Sequence, residues 1–577
     1  MENKSDCFYL GSPSGMFSIN KDDKLTLKLA MLIENRCLGI PVTEVVKKYG
    51  FSRSRFYQIK RAYAKGGSEA LREGKRGPSR NYKRTDTVVN QIIRHRFLDP
   101  DTTPDVITQK MRQVGYDISK RSVERTITEY GFNQTKRKIQ RCVFTPIRVE
   151  REVREQLARK VSSNYLGLWL LIPEHLRLGS WDLVKSWSGG SDEDIEPRLA
   201  LQLIHESALC VSGVRPTRSL CHQGFELLNG LPDVATDKSI HELLETSTIA
   251  QSQSLQIALG KLRYSRGHYD GKLLAFDPHR IATYTRRIMP AKKSKPNSRA
   301  RKVLQTFFCV DAITGQPIAS TIGSSATTTS KAALELKELM KSILSDNGLV
   351  MADTEHATAK ILNAFYEDEQ FDILMPMFVT KKIKKIMQGL TYQRQWAGYA
   401  LAETSYRMQR VNYPLHLIAQ RSGEIEAEYQ YKPFVATGIS DLLKMVSEDF
   451  PERWTIEEFF NFEAAIGWNR AATMNLNIRY GKMSLALIAQ AATFQLRQKL
   501  PKPYKVWTAK HLADSLFHSI DGDLKVKDDT IIVTLYNVPE NLNLKRHYGN
   551  LPQKLEKEGV DPRIPWLFNF KVDFRFK

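Results

Sequence analysis

Two strand-like apolar runs in the second half of the chain each end on an aspartate. The run Leu273 to Phe276 stops at Asp277, and GLVMA stops at Asp353 before a helical stretch begins. Acids released at the ends of neighbouring strands stand side by side, where two carboxylates can share hard divalent cations that take oxygen ligands.

That placement depends on the elements between the two acids. After Asp277 comes PAKKSKPNSRARK, basic and rich in turn formers, and then VLQTFFCVDAITGQPIASTIG, whose central TG/QP turn between two β-rich runs reads as a hairpin. A helical stretch, TTTSKAALELKELMKSILSDNG, leads into the run that delivers Asp353. Short β-segments are expected from about residue 371 to 437, and then a helix that carries RWTIEEFF.

The chain has 577 residues and 86 Lys plus Arg against 63 Asp plus Glu, a net charge of +23. Residues 1–150 hold 30 basic and 16 acidic side chains, so +14 of that charge lies in the first quarter. A basic lobe on a less charged body points to a polyanion, nucleic acid ahead of an anionic membrane. Apolar content of 42% with 26% charged residues is ordinary for globular chains and excludes a disordered or fibrous one. No apolar run reaches the roughly 18 residues of a bilayer span, and MENKSDCFYLGSPSG lacks the pattern of an export signal. Cys7, Cys37, Cys142, Cys210, Cys221 and Cys309 are scattered without a CxxC pair, which favours reduced thiols in a cytoplasm over disulfides or a zinc site.

The basic quarter reads as two helical hairpins. In PVTEVVKKYGFSRSRFYQIKRAYAKGG a helix from Val42 to Tyr49 ends at Gly50, Ser52 is an N-cap, and the next helix carries Arg53, Arg55, Tyr57, Gln58, Lys60 and Arg61 with no acid among them. A short helix, a glycine turn and a polar, basic second helix form the helix-turn-helix pattern, whose second helix enters the major groove. The arm Arg72 to Arg84, with Lys75 and Arg76, suits a minor groove or a run of phosphates. A second hairpin follows, with Pro104 near a helix start, Gly115 in the turn, Ser119 as N-cap, and Lys120, Arg121 and Arg125 on the last helix.

The stretch DFPERWTIEEFFNFEAAIGWNRAATMNLNIRYG resembles part of the bacterial insertion-sequence transposases of the RNase H-like, Asp-Asp-Glu superfamily, in the branch with a β-strand insertion before the glutamate. That branch carries a Tyr-x2-Arg-x3-Glu-x6-Lys signature. Arg453 and Glu457 match it, while Phe450 and Ala464 stand where the tyrosine and lysine belong. The resemblance covers roughly Tyr269 to Leu500. It implies a mixed sheet flanked by helices, metal-dependent DNA cleavage and strand transfer, and two Mg²⁺ ions, replaceable by Mn²⁺, held by Asp277, Asp353 and Glu457. Arg453, one turn ahead of Glu457, would orient that carboxylate or a phosphate. Two ions about 3.5 to 4 Å apart can activate the attacking oxygen and stabilise the leaving one.

Several residues compete or assist. Asp270, in a YDG turn, is the rival for the first acid, and Asp311 reads as a hairpin residue. Glu458 points about 100° away from Glu457, and Glu463 reads as structural. His279 and His356 are expected to support the acids or touch phosphate, and Trp396 to be buried in a core. Arg286, Arg287, Lys292, Lys293, Lys295, Arg299, Arg301 and Lys302, with no acid between them, would meet phosphates beside Asp277. KKIKK at Lys381 to Lys385 is a second basic patch.

The expected fold is therefore multidomain: all-α helix-turn-helix units, then an α/β RNase H-like domain with a β-rich insertion. Its segments are 20–70 and 87–139 as DNA readers joined by the arm 71–86, a helical platform at 140–262, the catalytic domain at 263–500 and a C-terminal module at 501–577. The expected partner is double-stranded DNA, element ends and target, bound by a homodimer or higher assembly in the cytoplasm at the nucleoid. The alternative is a DNA-binding regulator, or an inactive relative whose acids are structural.

Overall fold

The computed structural model describes residues 7–12, 15–72, 83–98, 102–130, 146–211, 220, 224–469 and 473–577. Lys75 and Arg76, with most of the arm, lie outside them. The chain divides into two units, Met1–Cys142 and Val143–Lys577.

The first unit is built from local signals. Helix α1 (Lys24–Cys37) starts where Asp23 accepts a hydrogen bond from the Thr26 amide at 3.0 Å. Helix α2 (Val42–Tyr49) ends at Gly50, whose φ of +72° is a left-handed cap open to glycine. Ser52 then accepts from the Arg55 amide and starts α3 (Arg53–Gly66). Leu27, Met31, Val45, Tyr49, Phe56 and Ile59 form the core between them. A hairpin of β1 (Cys7–Ser12) and β2 (Gly15–Asn20), which the sequence reading did not anticipate, lays Ile19 into that core. The second hairpin comprises α4 (Asp86–Leu98), α5 (Pro104–Gln113) and α6 (Lys120–Glu129) around Val88, Ile92, Ile107, Met111 and Val123. Thr103 and Ser119 cap α5 and α6, with Pro104 in the first turn of α5.

The second unit is organised by a nine-stranded mixed sheet. Its strands are β4 (Leu273–Thr283), β5 (Lys302–Asp311), β6 (Gln316–Ser324), β7 (Gly348–Ala352), β8 (Phe371–Pro376), β9 (Gln393–Trp396), β10 (Tyr399–Tyr406), β11 (Leu415–Ser422) and β12 (Gln430–Ala436). Across the sheet they run β6-β5-β4-β7-β8-β12-β11-β10-β9. The pairs β4–β7 and β7–β8 are parallel; the others are antiparallel. The β-rich stretch at 371–437 thus extends the same sheet, joined edge to edge through β8 and β12. One face packs on the helices Thr329–Ile343 and Ala359–Tyr366 through Phe276, Phe307, Leu336, Met340 and Phe365. On the other face Phe308 and Val310 share a core with Phe459 of the helix Thr455–Glu463 and with Leu485 and Ile488 of Leu476–Lys499.

That second core is continuous from Val149 to Phe574. A four-stranded sheet contributes to it, ordered β15-β14-β13-β3 and built from β3 (Val161–Ser163), β13 (Gly522–Lys527), β14 (Thr530–Leu535) and β15 (Lys571–Phe576). The platform, the nine-stranded sheet and the C-terminal residues are therefore held by one body of apolar side chains. Among the described residues no helix is long and apolar enough to cross a membrane.

Candidate active site

The register of two parallel strands assembles the site. Phe276 of β4 pairs with Ala352 of β7, so the next residues, Asp277 and Asp353, come level. Each has the parity that turns it away from the face holding Phe276 and Ala352. One expectation is corrected here. The strand does not stop at Asp277, because β4 keeps its ladder with β5 from Asp277↔Phe308 to Thr283↔Lys302. The apolar pattern ends there because a polar site begins, while the backbone pairing continues. At Asp353 the strand does end, and the carboxylate accepts from the Thr354 amide at 2.6 Å to start a short turn.

Burial pushes the Asp277 carboxyl up to about 7; the Arg453 guanidinium opposes that shift and the charge on Asp353 adds to it. Arg453 lies in the helical turn Phe450–Trp454, and its Nη2 is 3.4 Å from Glu457 Oε1 in the first turn of Thr455–Glu463. One guanidinium therefore acts on acids from two elements. Arg280 and Glu355 add a second ion pair whose field reaches Asp277, and Lys292 joins Glu355 at 3.4 Å.

Asp270 is not part of this group. Its amide and that of Gly271 donate to Asp311 Oδ2 at 2.8 and 2.7 Å, which fixes the turn before β4, seven residues ahead of Asp277. Asp311 also accepts from the Thr314 amide and hydroxyl, as befits a hairpin residue. Glu458 is exposed, and Glu463 is buried against Arg497. His279 packs on the Phe460 ring with centroids 4.8 Å apart. His356 is buried, and that burial brings its pKa down to about 4.

Among the described residues no group of three or more His, Cys, Asp and Glu side chains stands close enough to hold a metal ion. Asp277 and Asp353 fit a hard cation as a two-carboxylate seat, since their donors are all oxygen and Asp277 is a desolvated acid beside another negative charge. The expected third ligand, Glu457, is engaged by Arg453 instead.

The basic residues are placed unevenly. Arg286, Arg287, Lys293, Lys295, Arg299 and Arg301 are exposed, whereas Lys302 donates to the carbonyls of Thr285 and Arg287 and Lys292 is drawn to Glu355. Trp396 is a correction: it is half exposed, stacked flat on Tyr399 at 4.3 Å, because β9 is the edge strand of the sheet. Sequence reasoning missed Lys432. Its ammonium lies over Phe434 and Phe450, within the electrostatic reach of Asp353 and Arg453. No local pattern marks it; only the strand order brings β12 to this side.

Fold and site together define a multidomain chain with an N-terminal helix-turn-helix region and a large mixed sheet bearing an acid pair. A family model described as a helix-turn-helix domain matches residues 31–79. No curated protein matches the chain. A solved structure, the cryo-EM structure of a piggyBac transposase synaptic complex with hairpin DNA, is similar over 70% of this chain and 88% of that one, with 10% identity. Its TM-score is 0.34.

Proposed function

We propose that this protein is a DNA-binding transposase that cleaves and joins DNA strands at the ends of a mobile element. The observation that carries the reading is the register between β4 and β7, which sets Asp277 beside Asp353 in a chain that also bears a helix-turn-helix domain. The sheet order agrees with an RNase H-like core: an antiparallel run β6-β5-β4 followed by parallel β7 and β8.

In this reading Asp277 and Asp353 would hold Mg²⁺, with Mn²⁺ as substitute, and Glu457 would be the third acid. The metal supplies activation of the attacking oxygen and stabilisation of the leaving one. The chain's own residues do the positioning. Arg453 offers a planar fork for phosphate oxygens, Lys432 offers a second cation, and the exposed arginines of residues 286–301 hold the flanking backbone. Helix α3 places the protein on double-stranded DNA, and a homodimer or higher assembly brings two ends together.

The test uses the full chain, duplex DNA recovered by its own binding, and Mg²⁺. Asp277→Ala and Asp353→Ala should remove cleavage and leave binding intact, while Asp270→Ala should cleave. Undiminished cleavage by either of the first two would overturn the assignment. A second reading, a DNA-binding relative that does not cut, is favoured by the missing three-acid group among the described residues; it predicts binding with no Mg²⁺-dependent cleavage by the unaltered chain.

A further inference from the structure

Just past the end of β8 the chain exposes two apolar side chains in a row. Phe378 is 71% and Val379 55% exposed, and neither joins an apolar core among the described residues. Their neighbours on both sides are fixed. Met377 donates its amide to the Pro433 carbonyl at 2.9 Å and packs against the sheet. Thr380 accepts from the Ile383 amide at 3.2 Å and caps the helix Lys381–Gln388, which buries Ile383 and Met387. A lone exposed apolar residue is ordinary; here a ring and its neighbour are held in water on a short span anchored at each end.

The strand register sets that span beside the acids. Met351 of β7 pairs with Leu374 of β8 in parallel. Counted onward, Asp353 is level with Pro376, and Phe378 lies two residues, about 7 Å, further out. Pro376 also pairs with Phe434 of β12, which brings Lys432 level with Phe378 on its other side. Parity agrees: Ile373, Met375 and Met377 pack on one face, and Phe378 falls with Leu374 on the opposite face, to which Asp353 turns. Because β4, β7, β8 and β12 are successive neighbours, Asp277, Asp353, Phe378 and Lys432 form one row at the end of the sheet. The charge around the ring is one-sided. Residues 373–402 hold Lys381, Lys382, Lys384, Lys385 and Arg394 and no acid. The four lysines are exposed, and among the described residues none forms an ion pair.

We propose that Phe378, backed by Val379, is a wedge that enters the base stack of duplex DNA at the step next to the scissile phosphate, with Lys381 and Lys382 on the backbone beside it. This rests on the cleavage role proposed above. Apolar side chains inserted between base pairs unstack one step and kink the duplex. An opened step lets the backbone bend towards acids that stand about 7 Å deeper in the row than the ring. Unstacking costs least at pyrimidine–purine steps, so the wedge favours cuts there. A protein occupant is disfavoured by the lysines, a residue depleted in protein interfaces.

The experiment uses the full-length protein and the duplex recovered by its own binding, through which 2-aminopurine opposite thymine, brighter when unstacked, is walked one position at a time. Without Mg²⁺ the unaltered chain should brighten a single step; with Mg²⁺ it should cut beside that step. Phe378→Ala, checked for folding by circular dichroism, should still bind through the helix-turn-helix region, brighten nothing, and cut the paired duplex at least about tenfold more slowly. A mismatch at the step supplies the unstacking and should restore most of that rate. Phe378→Leu should keep the brightening, since leucine also serves as a wedge. Lys381→Ala/Lys382→Ala should weaken binding, flatten its salt dependence and gain nothing from the mismatch. Brightening or unslowed cutting by Phe378→Ala, a rate the mismatch leaves low, or a changed oligomer size of that variant in sedimentation overturns the wedge while the cleavage role stands. Brightening without cutting by the unaltered chain keeps the wedge and removes the cleavage role. An unaltered chain that neither brightens nor cuts removes both.

Discussion

Arg453 and Glu457 face each other across one helical turn, Nη2 to Oε1 at 3.4 Å, while the same guanidinium lowers the proton affinity of Asp277 on β4. A cation that serves two acids from different elements couples the helix to the sheet at the site. Losing it would remove the largest effect that favours the charge on Asp277, with Arg280 the lesser one.

Arg453→Ala should therefore slow single-turnover cleavage at least about tenfold, corresponding to about 1.4 kcal/mol, with DNA binding retained. Arg453→Lys should restore only part of the rate, since an ammonium lacks the bidentate fork. Equal rates in all three proteins would remove Arg453 from the site.

Glu463 and Arg497 form a buried ion pair between two helices, both under a tenth exposed. Arg497→Ala strands a buried carboxylate and should cost about 3–5 kcal/mol. Replacing both residues with apolar ones of similar size should cost much less. Urea denaturation of the three proteins reads this difference directly.

Gly260 is packed where a side chain cannot go. A Cβ there would lie 2.6 to 2.8 Å from three atoms of Ile343. Gly260→Ala should destabilise by about 1–3 kcal/mol, and Ile343→Ala placed in the same protein should cost less than the sum of the two single changes. Strict additivity in thermal unfolding would contradict this packing.

Asp368 gives a pH signature. Burial alone would raise its pKa, but Lys337 at 2.7 Å, Lys341 at 3.0 Å and the Gln370 amide outweigh it and hold the carboxyl at about 2. The folded pKa lies below the unfolded one, so the stabilisation is complete above about pH 4 and is lost as pH falls through 4 towards 2. It is worth roughly 2 kcal/mol. Asp368→Asn should show a shallower loss of stability across that window in acid titration followed by fluorescence; an identical slope would refute the contribution.

What could be read in the sequence was local. The caps at Ser52, Thr103 and Ser119 and the left-handed Gly50 are set by neighbours within a few residues, so the helical hairpins were legible. Asp277 and Asp353 were legible because each follows an apolar run; that they come level required the β4–β7 register. Lys432 reaches the site from β12, distant in sequence, and only strand order reveals it. Arg280 and Glu355 lie within three residues of Asp277 and Asp353, but their ion pair depends on the β4–β7 register. Trp396 was misplaced because an aromatic in a β-run looks the same on an edge strand as in a core. The β1–β2 hairpin escaped because its Gly-Ser-Pro-Ser-Gly centre reads as loop while its flanking runs are short.

The three residues of β3 pair with β13, Val161 opposite Leu524 and Ser163 opposite Gly522. At ribosomal speeds of about 5–20 residues per second, roughly 20 to 70 seconds separate the synthesis of the two partners. During that interval the first strand waits with its backbone groups unclaimed, an invitation to pairing with other chains. Quality of expression should therefore respond to elongation speed between these segments, and slowed translation should yield more aggregate from the same message.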